Sequence, residues 1–593
     1  MKKIKLRIQA LPWVLLLALA AGLGSCSDFL DKSPTNAVSS TTIWTRAQLA
    51  EQAVTGVYND LLWEWQQASN YWDMRSYVMD YDINWLGDVP DLVGTATSSS
   101  GCYATFWQVY YEGIQRANDV IANIGKVPDM TDADKGRYIA ECKFLRAWFY
   151  MRLNMLYHGV PLYLEPVEPA DANKPRSSEA DVWKAIVQDL TDCINEPNLP
   201  DKYAASDANY GHVTKGAAYA LRGRAYLWMK DWADAVADFK KVTTLGYALF
   251  PDYKALFKEE NERCDEMIFS VQYIDETGMG SLKNRGYGSR VTDGYAWNNY
   301  IPNPHFVDSY EYADGKPFSW DDLFPGYSDM APAARSVYFL RDSMTDAEKS
   351  IMQEYGADLS KYLPSGNEAR ILKAYTNRDP RMTMNIITPY STYLGGCTGT
   401  PIEYTLRWPY RGYDAAYPYD IRTDTNAKFY YLMRKFVGEG TEIPHFDNSP
   451  IDEPLIRYAD VLLGLAEALN EEGKTDEAIT YVNQVRARIP GLALLNSNTY
   501  TQVKGQDDLR TRIQNEYHWE LVGEDQLYFD ELRWGTWKKL KFQEDHGRKN
   551  GMTEIWGKTT YTWSYEGDQV LEWAIPAKEI EMNPKLTQNP GWN

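Results

Sequence analysis

The sequence predicts a mostly α-helical protein in which a helical-repeat scaffold carries a loop-rich variable lobe with a few short strands. Long segments place apolar residues at helical spacing. Two of them fit a helix–turn–helix repeat of small and large residues. Between those two the helical period fades into Gly, Pro, Asn, Asp and Tyr.

Taken in order, residues 1–25 read as an export signal. Lys2, Lys3, Lys5 and Arg7 precede a short apolar run from Leu11 to Leu23. A helix needs roughly 20 apolar residues to span a bilayer, so the run is a secretory core and not an anchor. It ends in Leu23-Gly24-Ser25-Cys26. Small residues before a cysteine suit a lipoprotein signal peptidase, so Cys26 is the expected lipidation site and the membrane attachment. Each buried lipid methylene contributes about 0.8 kcal/mol. Residues 26–45 form a polar, lipid-proximal tether.

An N-terminal helical region is expected over 46–250. Residues 46–63 put Leu49, Ala53, Val54, Val57, Leu61 and Leu62 on one face, and 105–125, 136–157 and 179–195 repeat the pattern. The third of these four helices should stop at His158-Gly159-Val160-Pro161. Tyr219, Gly223, Tyr226, Ala235 and Phe239 then fall at tetratricopeptide positions, with Arg222 in place of the usual Leu. A C-terminal region, 251–593, divides into the loop-rich lobe (251–450) and a second set of tetratricopeptide-like helices (451–593). In the latter, Leu462, Leu465, Ala466, Leu469, Ala478, Val482, Val485 and Pro490 fill the signature slots. Within the lobe, Met267–Val271 and Met384–Thr388 read as short strands. Long loops on a rigid scaffold are where function concentrates.

Composition narrows the function. The net charge of −21 becomes about −25 without the four positive charges of the signal, which argues against nucleic acid and against polyanionic sugars. After Cys26 the cysteines are Cys102, Cys142, Cys193, Cys264 and Cys397, too sparse for a disulfide framework. His158, His212, His305, His445, His518 and His546 are isolated, with no HExxH pair. The glycines at 278, 280, 286 and 288 match no phosphate-binding spacing. No metal or cofactor is expected. The distinctive feature is 21 Trp, 44 Tyr and 17 Phe. Most fill a core, but Trp and Tyr pair a flat apolar face with a polar tip, which suits sugars.

Several phrases, in order along nearly the whole chain, resemble the SusD/RagB family of nutrient-binding outer-membrane lipoproteins. They are Cys26-Ser27-Asp28-Phe29-Leu30-Asp31; Phe144 to Tyr150 ahead of Gly159-Val160-Pro161-Leu162; Tyr310-Glu311 with Asp314-Gly315; and Asn377-Arg378-Asp379-Pro380-Arg381. Arg457 to Leu463 running into Ala466-Glu467-Ala468-Leu469-Asn470, Val485-Arg486-Ala487-Arg488, Ile575-Pro576 and Asn583 to Gly591 complete the set. The family's Leu-Arg-Arg-Trp reads Glu531-Leu532-Arg533-Trp534 here, and its Glu-Gly reads Glu524-Asp525. Both departures are expected in structural helices. The resemblance implies a non-catalytic protein, lipid-anchored in the outer membrane and facing outward. Such a protein captures an oligo- or polysaccharide and delivers it to a SusC-like TonB-dependent transporter docked against its helices. A peptide-binding branch of the family is the alternative ligand class.

For the ligand, Trp85, Trp297 and Trp320 stand among turn formers and hydrogen-bonding side chains, not on helical apolar stripes. The corresponding regions of related glycan binders supply an aromatic platform. Trp72 is a fourth candidate. Asn84, Asn298 and Asp322 are placed to bind sugar hydroxyls, and each fits a turn cap equally well. A flat platform would favour a β-glucan or a hemicellulose such as xyloglucan. A glycosidase needs two carboxylates across a cleft; none of the 82 acidic residues forms a local motif that marks such a pair. A scaffold binding only proteins would not need the aromatic-rich insertion.

Overall fold

The computed structural model describes residues 42–66, 72–81, 89–292, 296–423, 430–442, 447–542, 553–560 and 562–592. The expected signal, Cys26 and most of the tether lie outside the described residues.

Four expected helices are present as α1 (Ala47–Gln66), α2 (Gly101–Asn123), α3 (Asp132–Tyr157) and α4 (Glu179–Asn195). Their ends follow local chemistry. Thr131 and Ser178 accept the backbone N–H of Asp134 and Asp181 at 3.1 Å, capping α3 and α4. The chain leaves α3 through His158, whose φ of 52° is left-handed, as the His-Gly-Val-Pro stop requires. The first repeat is α5 (Lys215–Met229) with α6 (Trp232–Val242); the second is α7 (Tyr458–Glu471) with α8 (Thr475–Ala487). Next come α9 (Gln506–Leu521) and α10 (Leu527–Trp534).

Neighbouring helices from α2 to α8 pack in succession, and α6 packs directly on α7 although the whole lobe separates them in sequence. The helical stack is therefore continuous, and the lobe is looped out of it. Phe239 makes the junction. A Cβ on Gly223 of α5 would lie 2.6 Å from its ring, and one on Gly464 of α7 would lie 2.9 Å away. Two bare helix backbones thus close on one phenyl ring from opposite repeats.

Among the described residues, nine short strands complete the fold. β1 (Met79–Tyr81) pairs with β3 (Tyr300–Pro302), β2 (Met267–Val271) with β9 (Glu453–Arg457), and β4 (Ile386–Ile387) with β8 (Leu432–Met433). β5 (Thr392–Gly395), β6 (Ile402–Thr405) and β7 (Tyr419–Asp420) form a three-stranded sheet. The strand expected over Met267–Val271 is β2. That expected over Met384–Thr388 is shorter, because Arg381–Asn385 stays helical and only Ile386–Ile387 pairs. β2 and β9 run antiparallel at the entry and exit of the lobe, so their pairing ties its base to the helices.

The same base holds a buried ionic network built from phrases far apart in sequence. Arg457 reaches Glu266 at 2.7 Å, Glu520 at 2.8 Å and Glu524 at 2.6 Å. Arg381 reaches Asp379 at 2.6 Å and Glu516 at 2.9 Å, while Arg486 pairs with Glu311 and Glu516. Burial alone would raise the Glu520 carboxyl, yet Arg488, Arg457 and Arg381 hold it below the usual carboxylate range. Removing one partner of such a buried pair costs about 3–5 kcal/mol.

One expectation needs correcting. Glu531 to Trp534 do lie in α10, but Glu524-Asp525 lie in the turn after α9 and not in a helix. Asp525 has φ 57°, a left-handed backbone that glycine adopts freely and that Asp tolerates better than most residues. Its side chain gains by the exchange: it accepts the Asp73 N–H at 2.9 Å and ion-pairs with buried Lys283 at 3.0 Å.

The C-terminal residues return to the N-terminal helices. The Trp573 N–H donates to Leu156 at 2.7 Å, and Asn589 donates to the carbonyl oxygens of Tyr157 and Trp573. Among the described residues no helix is long and apolar enough to cross a membrane.

Candidate functional site

The lobe positions two of the proposed tryptophans. Trp297 ends a loop pinned at its base: its N–H donates to Arg285 O at 2.8 Å, and the Asn298 N–H donates to Gly288 O at 2.7 Å. The indole is 37% exposed. The Arg285 guanidinium lies 4.9 Å over one face of the ring and is itself held by Asp447 at 2.9 Å. Arg285 thus backs one face of the ring. The loop also rests on the three-stranded sheet, where Val291 O accepts the Cys397 N–H at 3.3 Å and the Thr292 hydroxyl meets that of Tyr393 at 2.9 Å. Gly395 permits this approach, since a Cβ there would lie 2.4 Å from Val291 O.

Trp320 opens the short helix Trp320–Leu323, capped by Ser319. It is half-buried in an aromatic cluster, stacked on Tyr327 at 5.0 Å and meeting Phe318 edge-on at 5.1 Å. Its Nε1–H donates to Asp308 at 2.9 Å. Arg285 and Asp308, which orient the two indoles, went unrecognised in the sequence; each stands 12 residues along the chain from the ring it holds, and no local pattern marks them. Asp322 is exposed and paired with Lys316 at 2.6 Å.

Two candidates are corrected. Trp72 is fully buried, packed among Phe106, Phe529 and Trp573 at 4.5–5.7 Å, so it is a core residue and presents no face to a ligand. Asn298 is 3% exposed with φ 41°; it makes the turn that carries Trp297 and does not face solvent. Asn84 and Trp85 lie outside the described residues.

Sequence comparison decides the family. The SusD family matches residues 265–592, and a second family, described as starch-binding and associating with the outer membrane, matches residues 28–227. The chain belongs to the SusD family. A SusD-like protein of Formosa agariphila is 25% identical, with 99% of each chain covered. The crystal structure of a SusD-like protein from Bacteroides fragilis has a TM-score of 0.70 at 22% identity, covering 95% of this chain and 100% of that one. A laminarin-binding SusD-like protein has a TM-score of 0.60 at 21% identity, covering 93% and 100%. The helical scaffold with its loop-rich lobe is thus the SusD fold.

Proposed function

We propose that this SusD-family protein is a non-catalytic, lipid-anchored receptor that captures a neutral glycan outside the cell and passes it to a TonB-dependent transporter. The observation that carries the reading is Trp297, a 37% exposed indole on a loop pinned at both ends, with one face backed by a guanidinium. A ring fixed in this way binds without losing side-chain freedom. One aromatic contact contributes about 0.5–1.5 kcal/mol beyond area burial, so a few give modest affinity and fast release. Trp320 and Asp322 of the same lobe are proposed as further contacts, and Trp85 and Asn84 stay candidates on the sequence alone. The family described as starch-binding and the laminarin-binding relative support glycan as the ligand class. A β-glucan or a hemicellulose such as xyloglucan is the proposed cargo. The lipid on Cys26 supplies the anchor.

Calorimetry on the chain beginning after Cys26, against laminarin, xyloglucan and starch, tests this. Binding to at least one is expected, weakened several-fold by Trp297→Ala. Absence of binding to all three refutes the glycan reading, and release of reducing sugar would refute a purely binding role. Cys26→Ala should leave the protein out of the membrane fraction.

A further inference from the structure

We propose that the loop between β6 and β7 forms a second glycan-binding surface, a tyrosine ledge that engages polymeric chains beyond those held at Trp297. The inference rests on the glycan reading above and extends it to residues with no assigned role. Tyr413 and Tyr417 are 59% and 61% exposed, the most exposed aromatic rings among the described residues. They flank Tyr419 of β7, with ring centroids 4.7 Å and 5.6 Å from it.

An exposed tyrosine on a floppy loop would mean little, but this loop is tightly held. Buried Asp420 of β7 binds Arg341 at 2.8 Å and Arg407 at 2.7 Å, and accepts the Arg411 N–H at 2.6 Å. Arg407 also donates to the carbonyl oxygens of Ala416 and Pro418, on either side of Tyr417. Arg411 in turn pairs with Glu348 at 2.7 Å. The Tyr413 hydroxyl meets that of buried Tyr404 at 2.8 Å, and the Tyr417 hydroxyl points to Glu403 at 3.5 Å. The rings are therefore presented to solvent in a fixed arrangement, which lowers the entropic cost of binding.

The chemistry favours a neutral, hydroxyl-rich ligand. Tyrosine offers C–H bonds a flat face and offers hydroxyls a polar tip. The flanking carboxylates of Glu403 and Asp414 are exposed; they accept hydrogen bonds from hydroxyls and repel anionic sugars. Tyr413 and Tyr417 lie at 59° and 88° to Tyr419, so the surface is angled and takes a sugar unit at a bend, not a long flat run. Its position suits a chain already bound at Trp297. The Trp297 loop and the ledge share the three-stranded sheet: Val291 and Thr292 meet it at β5, and the Arg290 N–H donates to Arg422 O at 2.9 Å just past β7.

The test compares the wild type with Tyr413→Ala/Tyr417→Ala, using calorimetry with laminarin against laminaritriose and with xyloglucan against its heptasaccharide. Polymer affinity should fall about five- to tenfold while the short oligosaccharide binds unchanged, and Tyr413→Phe/Tyr417→Phe should retain most of the polymer affinity. Polymer affinity within twofold of wild type overturns the ledge and leaves the Trp297 reading intact. An equal loss for polymer and oligosaccharide also overturns it, since the tyrosines would then belong to the first site. A wild type that binds none of these probes fails the glycan reading itself, a result distinct from either.

Discussion

The junction at Phe239 gives the sharpest test of how this fold holds its lobe. The ring is 1% exposed and sits between the bare backbones of Gly223 and Gly464, which belong to different repeats. Phe239→Ala removes the wedge, and a buried Phe-to-Ala exchange costs about 3–5 kcal/mol. The glycines supply the internal control. In a helix, Gly→Ala should stabilise by about 1 kcal/mol from propensity alone. At Gly223 the new methyl would stand 2.6 Å from the phenyl ring, so overpacking of about 1–3 kcal/mol should outweigh that gain. With the ring gone the clash goes too. Gly223→Ala should therefore destabilise the wild type and stabilise the Phe239→Ala background, a coupling of about 2 kcal/mol. Gly464→Ala should behave the same way, more weakly, because its contact is 2.9 Å. Urea unfolding followed by far-ultraviolet circular dichroism on the four members of the cycle measures it. If Gly223→Ala shifts the midpoint equally with and without the ring, the glycine is not there for Phe239, and the account of the repeat junction fails.

Other predictions concern charge and the site. Burial lowers the His518 imidazole to about 3, so the folded state refuses a proton that the unfolded chain accepts near its ordinary value of about 6.5. Stability should accordingly be lost as pH falls from about 6.5 towards 3, and His518→Gln should flatten that part of the acid-unfolding curve; an unchanged slope sinks the assignment. Asp525→Gly relieves a left-handed backbone but takes an anionic partner from buried Lys283, leaving Glu453 at 2.5 Å. A net loss of about 1–3 kcal/mol is expected, with Asp525→Asn costing less, read as thermal midpoints; a higher midpoint for the glycine variant would mean strain outweighs the ion pair. Arg285→Ala removes the cation behind Trp297, and glycan affinity should fall about two- to threefold, less than for Trp297→Ala; calorimetry distinguishes them.

Much of the fold was legible because its signals are local. Apolar spacing placed α1 to α4 within a few residues, and Gly223, Ala235 and Phe239 marked the first repeat. The stop at His158 was readable from Gly and Pro alone. The site was less legible. Trp297 and Trp72 both stand in irregular, polar surroundings in the sequence, yet one is exposed and the other fully buried. Exposure depends on what folds over a ring, and for Trp72 that is Phe106, Phe529 and Trp573.

The sequence by itself determined the helical scaffold, the family and the short β2 strand, because periodicity, repeat spacing and short phrases are written in consecutive residues. Only the tertiary structure decided that α6 rests on α7 across the lobe, and that Arg457, Arg381 and Arg486 share one buried network with Glu266, Glu311, Asp379 and the acids of 516–524. It alone decided that Asp420 and Arg407 hold two tyrosines outward. Each of these depends on side chains far apart along the chain, and the strength of attraction between such charges depends on burial, which no stretch of sequence specifies on its own.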